Sequence, residues 1–186
     1  MKKFELTTEF ITNMFGTKLF RIKALVEFGN IKAGELGGYV EKEENISQDG
    51  DAWVSDNAEV FGDATVSGDA RISGNATVCN NAWVYGNAEV TGNARISGNL
   101  CVAGNARISG NADYALVQGF GTQFRCTTFY RGKDKKIMVN CGCFHGDLEA
   151  FREQVKETRS GKIAKEYLMI ADLMEYHFAS EESGDE

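Results

Sequence analysis

The side chains in this sequence that could do chemistry fall into two groups. The first is arginine with aromatics: Arg71, Arg95, Arg107, Arg125 and Arg131, beside Trp53, Trp83 and Tyr85. A guanidinium matches the geometry of a phosphate, and an aromatic ring next to it can stack on a base. These eight are the candidate ligand-binding residues, for a nucleotide-like molecule, wherever a fold or an assembly brings them together. The second group is Cys126, Cys141, Cys143 and His145. Three sulfurs and one nitrogen suit zinc. Cys-x-Cys is tighter than the usual zinc spacing, however, and strand alternation puts Cys141 and Cys143 on one side, where small sulfur side chains pack well. Packing is the expectation, with zinc as the alternative and a thiol nucleophile beside His145 as a third reading. No catalytic residue, metal or cofactor is assigned.

The elements that position these residues are set by a short period. Eleven consecutive six-residue units run from Gly50 to Ala115, each reading Gly-Asp/Asn-Ala-x-Val/Ile-x, as in Gly62-Asp-Ala-Thr-Val-Ser67 and Gly104-Asn-Ala-Arg-Ile-Ser109. In a strand, Ala and Val/Ile two apart share one face. Gly-Asp/Asn then turns a corner that needs positive φ. Where Gly is missing, Asp56 and Asn80 stand in, the next most tolerant residues. A stack of like units burying a shared core is a solenoid.

Composition narrows the function. The net charge is −7, and no segment has the basic footprint of a general nucleic-acid binder. No apolar run is long enough to span a membrane. The start, Met1-Lys-Lys-Phe-Glu-Leu-Thr-Thr-Glu9, has no signal-peptide core, so a cytoplasmic location is expected. Five cysteines then read as thiols or metal ligands and not as a disulfide framework.

Six residues per side, with a small and a medium apolar residue inward, resembles the left-handed parallel β-helix of hexapeptide-repeat proteins. The resemblance implies three units per coil, nearly four coils, and assembly as a homotrimer. It stacks outward residues into three ladders: Trp53, Arg71, Glu89 and Arg107; Glu59, Thr77, Arg95 and Asp113, with Phe61 beside Glu59; and Thr65, Trp83 and Cys101, flanked by Ser67, Tyr85 and Ala103. Arg71, Glu89 and Arg107 form a candidate charge ladder. Trp83, Tyr85 and Phe61 are the expected oligomer interface. Leu100 in place of Ala, and Tyr114 in place of Val, are expected to close the end of the core.

The flanks complete the reading. Residues 1–49 form an N-terminal β cap with a strand over Lys18–Ala24, residues 50–115 the β-helix, residues 116–179 a small ββαα module, and residues 180–186 an acidic tail. In the module, Thr122–Tyr130 and Lys135–Cys141 read as strands. Asp147 caps a helix burying Leu148, Phe151 and Val155, and a second helix buries Ile163, Tyr167, Ile170, Met174 and Phe178. The fold class is mainly β.

The run Ile31-Lys-Ala-Gly…Gly37-Gly-Tyr-Val40…Asn45-Ile-Ser-Gln-Asp-Gly-Asp-Ala52 resembles the lead-in of uncharacterised bacterial and prophage hexapeptide-repeat proteins. Arg125-x-Thr-Thr-Phe-Tyr130 with Val139-Asn-Cys-Gly-Cys-Phe144 resembles a small module of phage proteins. These resemblances imply a phage-encoded, non-enzymatic binding protein. It would be an anti-defence factor that captures a host immune protein or a nucleotide-like immune signal in the host bacterial cytoplasm. The alternatives are an acyltransferase-like enzyme and a structural trimer or adaptor. Hexapeptide acyltransferases use a His as general base, and residues 50–115 contain none.

Overall fold

The computed structural model describes residues 2–179. The expected acidic tail, 180–186, lies outside them. The chain divides into two compact units, Met1–Asn111 and Ala112–Glu186.

The first unit is a parallel β-solenoid of about four turns with antiparallel strands at its N-terminal end. Its ten two-residue strands form three stacks, each strand pairing with the one 18 residues on. One stack holds β4 (Trp53–Val54), β7 (Arg71–Ile72), β10 (Glu89–Val90) and β13 (Arg107–Ile108). The second holds β5 (Glu59–Val60), β8 (Thr77–Val78) and β11 (Arg95–Ile96). The third holds β6 (Thr65–Val66), β9 (Trp83–Val84) and β12 (Cys101–Val102). The sixfold pattern produces this because every Ala and Val/Ile points to the axis: Ala52, Val54, Ala58, Val60 and their equivalents through Ile108 are buried. Backbone bonds such as Ser55 N to Ile72 O at 2.9 Å join successive turns. Asp56 and Asn80 take φ of 55° and 61°, as their substitution for Gly requires. Asparagine side chains add a ladder at one corner, Asn57 donating to Asn75 at 3.4 Å and Asn75 to Asn93 at 3.3 Å.

The eleventh unit departs from the pattern. Gly110 lacks positive φ, residues Asn111–Asp113 form a 3-10 turn, and Tyr114 begins a strand of the second unit. The β5–β8–β11 stack therefore ends at Arg95, and Asp113 and Tyr114 belong to the second unit. Leu100 is buried.

The cap is a sheet, β1 (Phe4–Thr12), β2 (Lys18–Ala24) and β3 (Leu36–Val40), antiparallel internally, whose β3 pairs in parallel with β5. Lys3 anchors it. Its buried ammonium donates to Gly50 O at 3.1 Å and Ala52 O at 3.0 Å, over the Phe28 ring. Asn45 Nδ2 similarly donates to the Gly62 and Ala64 carbonyls.

The second unit holds two more strands than expected. Its sheet runs β14 (Tyr114–Phe120), β15 (Arg125–Arg131), β16 (Ile137–Cys141) and β17 (Phe144–Asp147), and helices α1 (Leu148–Thr158) and α2 (Gly161–Phe178) follow. The ββαα module is thus ββββαα. Asp147 caps α1, accepting from Ala150 N at 2.9 Å. Phe129, Val139, Phe151, Tyr167, Met174 and Phe178 share its core.

Burial lowers the Lys3 ammonium from 10.5 to about 8, against the raising effect of Asp51. The unfolded chain therefore keeps this proton to higher pH than the folded chain, so the stability linked to Lys3 is flat below pH 8 and rises between about 8 and 10.5. Denaturation curves should show the wild type gaining on Lys3→Met across that window. A difference independent of pH would show that Lys3 titrates as an exposed amine.

Candidate functional site

The register of the solenoid decides which arginines can meet. Arg71 and Arg107 lie on the first stack, on either side of Glu89. Arg107 Nη2 meets Glu89 Oε2 at 2.9 Å, so one rung of the expected charge ladder is an ion pair; exposed pairs of this kind contribute little. Arg95 lies on a different stack, beside Glu59 and Thr77, where burial raises the Glu59 carboxyl and Arg95 opposes that. The three arginines do not converge within one chain.

Two aromatic residues expected outside are covered. Trp53 does face away from the axis, but it is only 2% exposed. Phe4 and Phe28 of the cap region meet its ring edge-on at centroid distances of 6.4 and 5.5 Å. Phe61 is 8% exposed, packed among Leu19, Tyr39 and Cys79. Trp53 therefore cannot stack on a ligand, and Phe61 cannot form an oligomer interface. Both anchor the cap to the solenoid. Trp83 and Tyr85 remain outside, at 58% and 37% exposure, in edge contact with each other at 6.3 Å. Burial raises the Tyr85 phenol and the Cys101 thiol beside it, so neither is ionised at neutral pH.

In the second unit the sheet register overturns the zinc reading. Thr127 pairs with Cys141, so Cys126 lies on the opposite face from Cys141. Asn140 pairs with His145, which puts His145 on the face away from Cys141 as well. Cys141 Sγ accepts from Thr127 Oγ1 at 3.1 Å, and His145 Nε2 and Tyr130 Oη share a hydrogen bond at 3.1 Å. Cys143 sits exposed beyond the positive-φ turn at Gly142. No group of three or more metal-ligating side chains gathers among the described residues. The register also separates Cys141 from His145, whose Nε2 is engaged by Tyr130 Oη.

Arg131 is engaged structurally. It donates to Phe178 O at 2.8 Å, lies over the Phe178 ring and meets Asp113 at 3.5 Å. Arg125 differs. It lines a cleft of about 180 Å³ between the end of the sheet and the helices, with Cys141, Cys143, Phe144, Tyr167 and Arg159. Arg159, in the loop between α1 and α2, was not among the sequence candidates; no periodic signal singles out an arginine that follows a helix.

A second feature also escaped the sequence reading. Met169, Leu173 and Tyr176 are exposed on α2. Their spacing of four and three residues puts them on one stripe, away from the buried Tyr167, Ile170 and Met174.

Compared with known families, residues 70–86 match the YdcK β-solenoid repeat. The match spans β7 to β9, one coil of the solenoid, and it concerns fold alone. A search of curated proteins found no match. No helix among the described residues is long and apolar enough to cross a membrane.

Burial raises the Cys79 and Cys101 thiols, whereas Cys143 is exposed. Thiolate is the reactive form. Timed alkylation of the native protein, read by peptide mass spectrometry, should label Cys143 first and Cys79 last. Early labelling of Cys79 would contradict its packing under the cap.

Proposed function

We propose that this chain is a non-enzymatic binding protein that assembles as a homotrimer through the solenoid face bearing Trp83 and Tyr85. In the phage setting implied by its resemblances, it acts in the host bacterial cytoplasm as an anti-defence factor that captures a host component. The observation that carries the assembly is the exposed Trp83–Tyr85 pair. Copies of a chain with net charge −7 repel one another. The side chains on this face that are at least partly exposed are Thr65, Ser67, Trp83, Tyr85 and Cys101, none of them charged, while Ala103 is buried. The other two faces carry Arg71, Glu89 and Arg107, or Glu59 and Arg95. An uncharged face with rigid aromatic anchors is where like-charged copies can meet.

Lack of turnover is supported by the solenoid's composition. The only two histidines are His145 and His177, both in the second unit. An acyltransferase working on the solenoid face would therefore lack its general base. The adaptor reading has its own support in the Met169–Leu173–Tyr176 stripe, an apolar helix face suited to a groove on a partner protein.

Light scattering should give three times the chain mass for the wild type and a lower mass for Trp83→Ala. An unchanged mass would refute assembly through this face. Leu173→Glu should leave the mass unaltered and abolish capture of the host protein that the wild type retains.

A further inference from the structure

We infer that the cleft beneath Arg125 and Arg159 binds the phosphate group of a small phosphate ester. Two adjoining cavities, of about 180 and 90 Å³, share Arg125, Cys141, Arg159 and Tyr167 in their walls. No aspartate or glutamate lines either one. Four other arginines of this protein are paired locally: Arg21, Arg107, Arg131 and Arg152 each meet a carboxylate. Among the described residues Arg125 and Arg159 do not; the one bond of the Arg159 guanidinium is to the neighbouring Thr158 carbonyl at 3.3 Å. Two uncompensated cations facing one cleft, in a protein of net charge −7, raise each other's energy until an anion lies between them.

The backbone is shaped to hold these groups. Gly142 has φ of 62°, and a Cβ there would strike Arg125 Nη1. Gly121 has φ of 71°, and a Cβ there would strike Tyr167 Oη. The guanidinium and the phenol thus rest against bare backbone at two tight turns, where little conformational freedom is left to lose on binding. Tyr167 Oη donates to Phe120 O at a long 3.3 Å, which is weak enough to be redirected. Burial raises this phenol, so it stays a donor at neutral pH.

Charge and size select the ligand. A phosphate monoester carries roughly −1.5 to −2 at neutral pH and offers three oxygens to planar donors. It matches two guanidiniums better than a single carboxylate does. The cleft is smaller than the roughly 300–1,000 Å³ that encloses a drug-sized ligand. It would seat the phosphate and the atoms next to it and leave the remainder outside. This inference rests on the reading of the chain as a binder, and it is independent of assembly through Trp83.

Calorimetry on the full-length protein with adenosine 5′-monophosphate, inorganic phosphate and adenosine tests it. Both phosphates should bind with a dissociation constant of about 1 mM or tighter, and adenosine should give no heat. Tighter binding of the nucleotide assigns an ester as the ligand; equal binding, or tighter binding of inorganic phosphate, overturns the ester and leaves a bare phosphate site. Arg159→Ala should weaken binding by about tenfold or more, the loss of a charge-assisted hydrogen bond, and Arg159→Lys by less. Arg107→Ala, on the solenoid, serves as a control that should not change it. Unaltered circular dichroism shows that the variants fold. Absence of heat with either phosphate at about 10 mM, or indifference to Arg159→Ala, overturns the site. If the nucleotide binds and is hydrolysed, the site stands and the non-enzymatic reading falls. If no phosphate binds while the mass by light scattering is unchanged, the site falls and the assembly reading stands.

Discussion

A dry axis too narrow for anything but alanine and a β-branched or leucine neighbour governs this protein. Each turn must deliver Ala and Val or Ile inward every six residues and then reverse direction at a corner with positive φ. Nothing polar fits inside, so every group with chemical potential is displaced to the exterior or to another unit. The same stacking satisfies each strand's amides through the turn above. It therefore leaves an open edge at each end, which parallel strands cannot tolerate without a cover. At the N-terminal end the cover is built from the same hydrogen bonds: β3 pairs with β5, Ile46 bridges to Val66, and Lys3 takes two carbonyls of the first corner.

What was legible in the sequence is what repeats. Strand positions, the three stacks and the corner roles of Asp56 and Asn80 follow from the period, and the local helix signals around Asp147 hold equally well. Contacts made once are different. Trp53 and Phe61 are covered by residues with no periodic mark: Phe4 and Phe28 lie 49 and 25 residues from Trp53, and Leu19 and Tyr39 lie 42 and 22 residues from Phe61. Asp113 sits at a variable place in the six-letter pattern, but Tyr114 sits where the pattern calls for valine or isoleucine. A tyrosine where the axis takes valine or isoleucine does not fit, and the chain turns out into a different sheet.

The cysteine cluster fails for a related reason. Sequence proximity suggested that Cys126, Cys141, Cys143 and His145 converge, but a strand's faces alternate every residue. Whether Cys126 faces Cys141 depends on a register offset of one, and Thr127 takes that position instead. Arg159 illustrates the converse. It joins Arg125 because α1 ends where the β16–β17 turn lies, a coincidence of element lengths that no single residue signals.

The two units thereby divide the protein's electrostatics. On the solenoid, Arg107 meets Glu89, and Arg95 opposes the effect of burial on the Glu59 carboxyl. In the second unit Arg152 binds Asp172 and Glu175, which locks α1 to α2, while Arg125 and Arg159 are left uncompensated over a cavity. An acidic protein repels anions at long range, but at physiological salt that field fades within about 8 Å. Inside that distance the nearest charges dominate. An anion reaching the cleft meets two guanidiniums and no carboxylate in its walls, so a net negative chain can still present a locally cationic site.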